Sequence, residues 1–425
     1  MNFRMVFLAA LMLPMALLFH LPAAKAQQAW SFQQVMEAAL ASHPLVQGKR
    51  SAQSAALADR DGAVWQRYPS VSLEGSTQSG GASVLRIDQP LWSGGRITAG
   101  INAAGSRFDS AGAALDEASQ ELALKVIAAV TEAVRQQDRQ RHGVDGVKEH
   151  EKLLEMIQRR VMQEVSPLAD QRLAASRLLV TANELSVTAQ ALNNALAQLS
   201  QLAGQPVTAV TGQDLNTNGT PASLDAALTQ VLTHSPTLRR LSHEEETAGA
   251  DIATKRSVYM PQLILRLENN MSQALDNRGH SADNRAMLVL QAQPGAGLSA
   301  RSGVQAAVAR REAARMAREV AERDIRERVT LDWNESLAAR TRLDNATKAR
   351  MMSTEVFESY VRQYGLGRKS WIDVLNAVRE ATQSELAVAD ARAQSLAASL
   401  RLRALSGLLI SASGRIHRVT SLGWG

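Results

Sequence analysis

The residues best suited to chemistry in this chain are eight histidines, at positions 20, 43, 142, 150, 234, 243, 280 and 417, and 41 acidic residues. Their spacing makes no catalytic constellation. A zinc protease carries two histidines one helical turn apart with a glutamate beside the first, and no H-E-x-x-H occurs. There is no G-x-S-x-G elbow and no P-loop. His243-Glu244-Glu245-Glu246 is the dense cluster, but on a helix its members fall on successive faces, as a solvated surface would. Gly295 and Gly297 precede a helical stretch, yet no βαβ context or downstream acidic partner makes them a phosphate loop. Zero cysteines exclude a thiolate zinc site, a cysteine nucleophile, a disulfide scaffold and a lipid anchor on an N-terminal cysteine. The expectation is a protein with no enzymatic activity, no cofactor and no metal.

What remains is ion-pair chemistry at a turn. Gly365 and Gly367 break two long helical stretches, so the segment from Tyr364 to Asn376 lies where a coiled hairpin reverses. Charges there, Lys369 and Asp373 among them, line whatever opening such hairpins surround. The competing reading is a solvated turn with no special role.

The elements that position this turn follow from the prolines. His43-Pro44 answers Ser235-Pro236 and Tyr68-Pro69 answers Met260-Pro261, both at an offset of 192, while Gln89-Pro90 answers Gln293-Pro294 at 204. Gly100 to Ala104 answers Gly303 to Ala307, and Pro167-Leu168-Ala169-Asp170 answers Ser370-Trp371-Ile372-Asp373, both at 203. The chain is an internal duplication. Its first repeat is 27–204 and its second 223–408, with a Gly, Pro, Thr and Asn-rich linker over 205–222 and a tail over 409–425.

Each repeat opens with a short helix, Phe32 to Leu40 and Leu224 to Leu232, ended by the X-Pro dipeptide. A second helix runs to Arg67 and to Val258. Strand alternation then begins: Val71 and Leu73 alternate with Ser70, Ser72 and Glu74, and Leu263, Leu265 and Leu267 alternate with Gln262, Arg266 and Glu268. Return strands over Ala82 to Gln89 and Arg285 to Gln293 give one β-hairpin per repeat, at about 69–91 and 261–293. Long proline-free stretches rich in Ala, Leu, Glu, Arg and Gln predict helices at about 95–163 and 299–363, with antiparallel partners at about 168–202 and 371–405. A helix over 95–163 is on the order of 100 Å long. It must pack on similar helices along its length, and small Ala at apolar positions favours close coiled packing.

Composition agrees. The 425 residues are 45% apolar, 21% charged and 4% aromatic, unlike a disordered chain or a multi-span helical membrane protein. Met1 to Arg4, the run Val6 to Leu21, apolar except for His20, and Ala24-Lys25-Ala26 read as a signal peptide over 1–26. Removing it lowers the formal charge from +6 to +4, and the remaining basic residues interleave with acids, so no nucleic-acid partner is expected. No other stretch holds the ~18 apolar residues of a spanning helix, so any membrane crossing belongs to the strands. Four strands cannot close a barrel and open edges are not tolerated in lipid, so copies must pool their strands. Trp65, Tyr68, Trp92 and Tyr259 bracket the hairpins and suit an interfacial aromatic girdle, with buried packing as the alternative.

This combination resembles the TolC family of trimeric outer-membrane export ducts over essentially the whole mature chain. The likeness rests on the duplicated helix-hairpin-helix-helix unit, on Tyr68-Pro69, on Gln89-Pro90-Leu91-Trp92-Ser93-Gly94-Gly95-Arg96 before the long helix, and on Tyr364 to Asn376 after it. The second copy departs from the pattern, since Gln293-Pro294-Gly295-Ala296-Gly297 lacks the aromatic and the Gly-Gly pair. With Glu164-Val165-Ser166-Pro167, it is more similar to members that serve type I secretion of large adhesins than to drug-efflux members.

The resemblance implies a mainly α fold with membrane β-structure. Three chains share a twelve-stranded outer-membrane barrel continuous with a helical coiled-coil barrel across the periplasm. It implies a homotrimer embedded in outer-membrane lipid, a periplasmic adaptor, and an inner-membrane ABC transporter or other pump that supplies the energy. The exported substrate is a protein or a small molecule. Matched residue by residue, it puts the tip tyrosine at Tyr364, the tip arginine at Lys369, the first constriction aspartate at Asp373 and the ionic partner in repeat one at Asp170. The second constriction aspartate is replaced by Asn376, which leaves one carboxylate ring. A Lys369 to Asp170 contact in water is worth ~0–1 kcal/mol, so three copies hold a closed state by roughly 0–3 kcal/mol, within reach of a docking partner. Lysine in place of arginine also loses bidentate geometry, predicting an easier gate. The rival class is a periplasmic coiled-coil adaptor or scaffold, which would need no membrane-spanning strands.

Overall fold

The computed structural model describes residues 29–76, 82–212, 220–272, 281–292 and 299–407. The signal-peptide segment, the Gln293 to Gly297 stretch and the tail lie outside the described residues. The chain runs α1 (Phe32–Ser42), α2 (Pro44–Trp65), β1 (Ser70–Ser76), β2 (Ala82–Trp92), α3 (Arg96–Met162), α4 (Leu168–Ala203), α5 (Leu224–His234), α6 (Pro236–Ser257), β3 (Gln262–Ser272), β4 (Ser281–Gln291), α7 (Ser299–Gly365) and α8 (Trp371–Leu405).

Local chemistry sets the joints. Ser31 caps α1 through a box with Gln34. Pro44 and Pro236 not only end the preceding short helices but open α2 and α6 at their first turns, where the missing N–H costs nothing. The second helices stop at Trp65 and Ser257, short of Arg67 and Val258, because each ends in a turn whose N–H groups fold back three residues, as in Tyr68 N–H to Trp65 O at 3.0 Å and Met260 N–H to Ser257 O at 3.0 Å.

The four strands form one antiparallel sheet in the order β1-β2-β3-β4, so β2 and β3, from different repeats, pair at its centre. β2 runs through Pro90 to Trp92 instead of ending at Gln89. Its pairing with β1 ends at Asp88, and its register on β3 shifts between Pro90 and Trp92, an irregularity that accommodates the missing donor. Alternation gives the sheet two unlike faces. Val71, Leu73, Leu85, Ile87, Leu263, Leu265, Leu267, Leu288 and Leu290 lie on one. The other carries cross-strand ion pairs: Arg86 meets Glu74 at 3.5 Å and Glu268 at 3.2 Å, and Arg266 forks onto Asp88 at 2.7 and 2.9 Å. No described helix is long and apolar enough to cross a membrane.

Each long helix, α3 and α7, has 67 residues, about 100 Å of length. Gly94 and Gly95 make the bend into α3 with φ of +59° and +88°, and a Cβ on Gly94 would collide with Met260. Below the bend, α4 packs on α3, α3 on α8 and α8 on α7, so α4 and α7 are the flanks of the layer. The main apolar core sits at mid-length of α3, where Leu122, Val126, Ile127 and Val130 meet Val35 of α1, Leu199 of α4 and Leu400 of α8. A second cluster lies near the far end and joins Leu153 and Ile157 to Trp371, Val374 and Val378.

Candidate functional site: the hairpin tips

α3–α4 and α7–α8 are antiparallel hairpins whose turns lie at the end remote from the sheet. Both turns have the same construction. Val165 N–H bonds Arg160 O at 2.9 Å and Arg368 N–H bonds Gln363 O at 2.9 Å, each a six-to-one closure that satisfies a last-turn carbonyl. The left-handed residue is Gly367, φ +72°, in the second turn and Glu164, φ +59°, in the first. Glutamate pays there a conformational cost that glycine does not.

The starts of α4 and α8 differ. Ser370 caps α8: its hydroxyl accepts from Asp373 N–H at 3.2 Å while the Asp373 carboxylate accepts from Ser370 N–H at 3.1 Å and from the Ser370 hydroxyl at 2.8 Å. The Ser370 side-chain and backbone bonds hold the Asp373 carboxyl below the usual range, with Lys369 assisting. Pro167 occupies the same position before α4 and has neither hydroxyl nor N–H, so no box forms. The Asp170 carboxylate has no hydrogen bond or ion pair among the described residues, and Asn376 is exposed.

Within one protomer Lys369 does not meet Asp170. Its ammonium lies 4.2 Å from the centroid of the Tyr360 ring. Tyr364 is 7% exposed; its ring meets Trp371 at 5.1 Å and the Arg160 guanidinium at 4.9 Å, and its hydroxyl is 3.5 Å from Ser166 Oγ. Trp371 Nε1 donates to the Asp170 carbonyl at 3.1 Å. Arg160, Ser166 and Trp371 were not singled out by sequence reasoning; the signal available was the place of Trp371 beside the turn glycines. His150, twelve residues above the end of α3, is 4% exposed, and burial lowers its pKa.

At the sheet end, Trp65, Tyr68, Trp92 and Tyr259 are all exposed on the protomer, with Trp65 and Tyr68 in ring contact at 5.0 Å. They flank the strand ends nearest the helices. Among the described residues no group of His, Asp and Glu is placed to hold a metal ion.

A sheet with one apolar face, continuous with helices about 100 Å long and ending in a charged and aromatic tip, is the build of an outer-membrane channel protein that reaches into the periplasm. The comparisons with known proteins agree. The outer membrane efflux protein family model matches residues 35–205 and 227–408, and the chain belongs to that family. It is accordingly an outer-membrane efflux channel of the tripartite systems of Gram-negative bacteria, in which such channels work with adaptor proteins and inner-membrane transporters. Family and structural neighbours are channels, not enzymes. The fold is similar to that of a membrane protein from Pseudomonas aeruginosa, with 18% identity over 88% of this chain and 92% of that one and a TM-score of 0.77. It is similar to CusC, with 15% identity over 88% and 91% and a TM-score of 0.79. It is also similar to VceC from Vibrio cholerae, with 15% identity over 88% and 96% and a TM-score of 0.75. No curated protein sequence matches the chain.

Proposed function

We propose that three copies of this chain form a passive exit duct, a twelve-stranded barrel over a helical barrel, gated at the hairpin tips and driven by an inner-membrane pump through a periplasmic adaptor. The supporting observation is the sheet itself. β1 and β4 are open edges, and one face is apolar, so in lipid each edge needs a strand from a neighbour. The flanks agree: Leu179 and Val187 on α4, and Val320, Leu331 and Met352 on α7, expose apolar side chains that a neighbouring copy would cover. In this arrangement Trp65, Tyr68, Trp92 and Tyr259 lie at the membrane interface, and Asp170, Tyr364, Lys369, Asp373 and Asn376 at the periplasmic constriction.

Bilayer conductance and oligomeric mass measured on one detergent-extracted sample test this reading. A trimer that forms small, cation-selective channels is expected. A soluble, non-conducting species would overturn it in favour of a periplasmic scaffold.

For the cargo, we infer type I secretion of a large protein such as an adhesin, with drug or small-molecule efflux as the second reading. The degenerate Gln293 to Gly297 stretch and the Glu164 to Pro167 turn support the first; the efflux name of the family favours the second. Gene deletion separates them. Loss of a surface protein with unchanged drug tolerance supports secretion, and the reverse supports efflux.

A further inference from the structure

We propose that Trp371 is a gate residue, a clasp that holds the tip of the second hairpin to the first within each protomer; this rests on the reading of the chain as a gated duct. Trp371 is the first residue of α8 and is 4% exposed. Its indole N–H reaches across to the first hairpin, to the Asp170 carbonyl at 3.1 Å. Its ring stacks at a tilt on Tyr364, which the Arg160 guanidinium also covers. Ser166 Oγ ties the pieces together, 3.3 Å from Arg160 Nε and 3.5 Å from the Tyr364 hydroxyl. Arg160, Ser166 and Asp170 belong to one hairpin, Tyr364 and Trp371 to the other. The start of α8 cannot leave α4 without drawing the indole from this pocket.

Two observations make the clasp the place where the tip is held. Above it the seam between α3 and α8 carries several ion pairs among small buried side chains. Thr382 faces Gly146, Glu385 pairs with His142 at 3.4 Å, Asp390 with Arg139 at 2.7 Å and Arg392 with Asp138 at 3.2 Å. Partly exposed pairs of this kind hold little. The apolar groups buried along that stretch of α8 are small alanines and Leu386, and the next large apolar cluster joining α3 and α8 comes at Leu396 and Leu400, so the cluster around Trp371 is the large apolar attachment below it. The acceptor, moreover, is a main-chain carbonyl. The clasp therefore acts independently of the charge of Asp170 and survives in salt that screens Lys369.

The test uses the full-length protein in planar bilayers. Trp371→Phe keeps an aromatic ring in the pocket and removes the donor. Open-state occupancy should rise roughly fivefold, the equivalent of one neutral hydrogen bond, equally at low and high salt. The melting temperature of the extracted oligomer should stay near that of the parent, which separates a gate role from a general packing role. A second variant fastens the seam. The chain has no native cysteine, and a Cβ on Gly146 would lie 3.7 Å from Thr382 Cβ, within disulfide range. In a Trp371→Phe background, oxidised Gly146→Cys/Thr382→Cys should return conductance to the parent level, and reductant should release it. Trp371→Phe conducting like a conducting parent overturns the clasp and leaves the duct standing. A gain that disappears at high salt overturns it too. No channel from the parent, Trp371→Phe or Lys369→Ala overturns the duct reading, and the clasp with it.

Discussion

Asp170 and Asp373 stand at the same position of the two repeats, 203 residues apart, and their carboxylates are placed differently: Asp373 closes a capping box with Ser370, while the Asp170 carboxylate, three residues after Pro167, has no bond among the described residues. Ser370→Ala should therefore cost about 1 kcal/mol through the loss of one cap. Asp170→Asn should cost less, since it loses only the favourable placement of a negative charge in the first turn of α4, and should alter the ion selectivity and salt dependence of the channel. Thermal melts of both variants beside reversal potentials check this, and an Asp170→Asn variant destabilised more than Ser370→Ala would refute it.

Lys369→Ala should raise conductance more at low salt than at high salt. Its ammonium rests over Tyr360 within the protomer, close to the start of α8, so it is available to carboxylates of a neighbouring copy without breaking a strong bond. Unchanged conductance at every ionic strength would remove the ionic role from Lys369 and leave the duct intact.

Glu164 holds the left-handed position that Gly367 holds in the other turn. Glu164→Gly should stabilise the first hairpin by up to about 1 kcal/mol, and Gly367→Ala should destabilise the second by a similar amount. Denaturant midpoints read both, and opposite signs are the diagnostic result.

His150 supplies a pH dependence. Burial depresses its folded-state pKa, Glu149 opposes this and Arg177 of α4 reinforces it, so the ring is neutral at pH 7. A depressed pKa contributes stability that is present above the unfolded value of about 6.5 and is lost as pH falls below it. The hairpins should loosen on acidification below about pH 6.5, and His150→Leu should flatten that part of the profile. Melting temperature against pH checks it.

Much of the architecture was legible because it depends on local rules. Paired prolines, the switch of period from 3.6 to 2 at Ser70 and Gln262, and the proline-free stretches mark elements that packing only had to confirm. The continuation of β2 through Pro90 was not legible, since it depends on pairing with β3 of the other repeat beyond the point where β1 begins at Ser70. The tip chemistry was harder. Sequence marks Asp170 and Asp373 as equivalents, but only the placement of Ser370 and Pro167 at the helix starts shows that one carboxylate is engaged and the other is not. The Trp371 to Asp170 bond joins a side chain to main chain 201 residues away, and no spacing rule reports such a contact.

The proportions of α3 turn the protomer into a lever. The main core grips it near Val126 and Val130, and some 32 residues, about 50 Å, extend from there to the end at Met162. A tilt of about four degrees at that fulcrum displaces the far end by roughly 3.5 Å, close to the span of a hydrogen bond plus slack. In the proposed duct, the seating of α1, α3, α4 and α8 at the fulcrum would therefore act on the opening alongside the clasp at the tip, and substitutions there, remote from every charged residue of the tip, would dilate or narrow it by geometry.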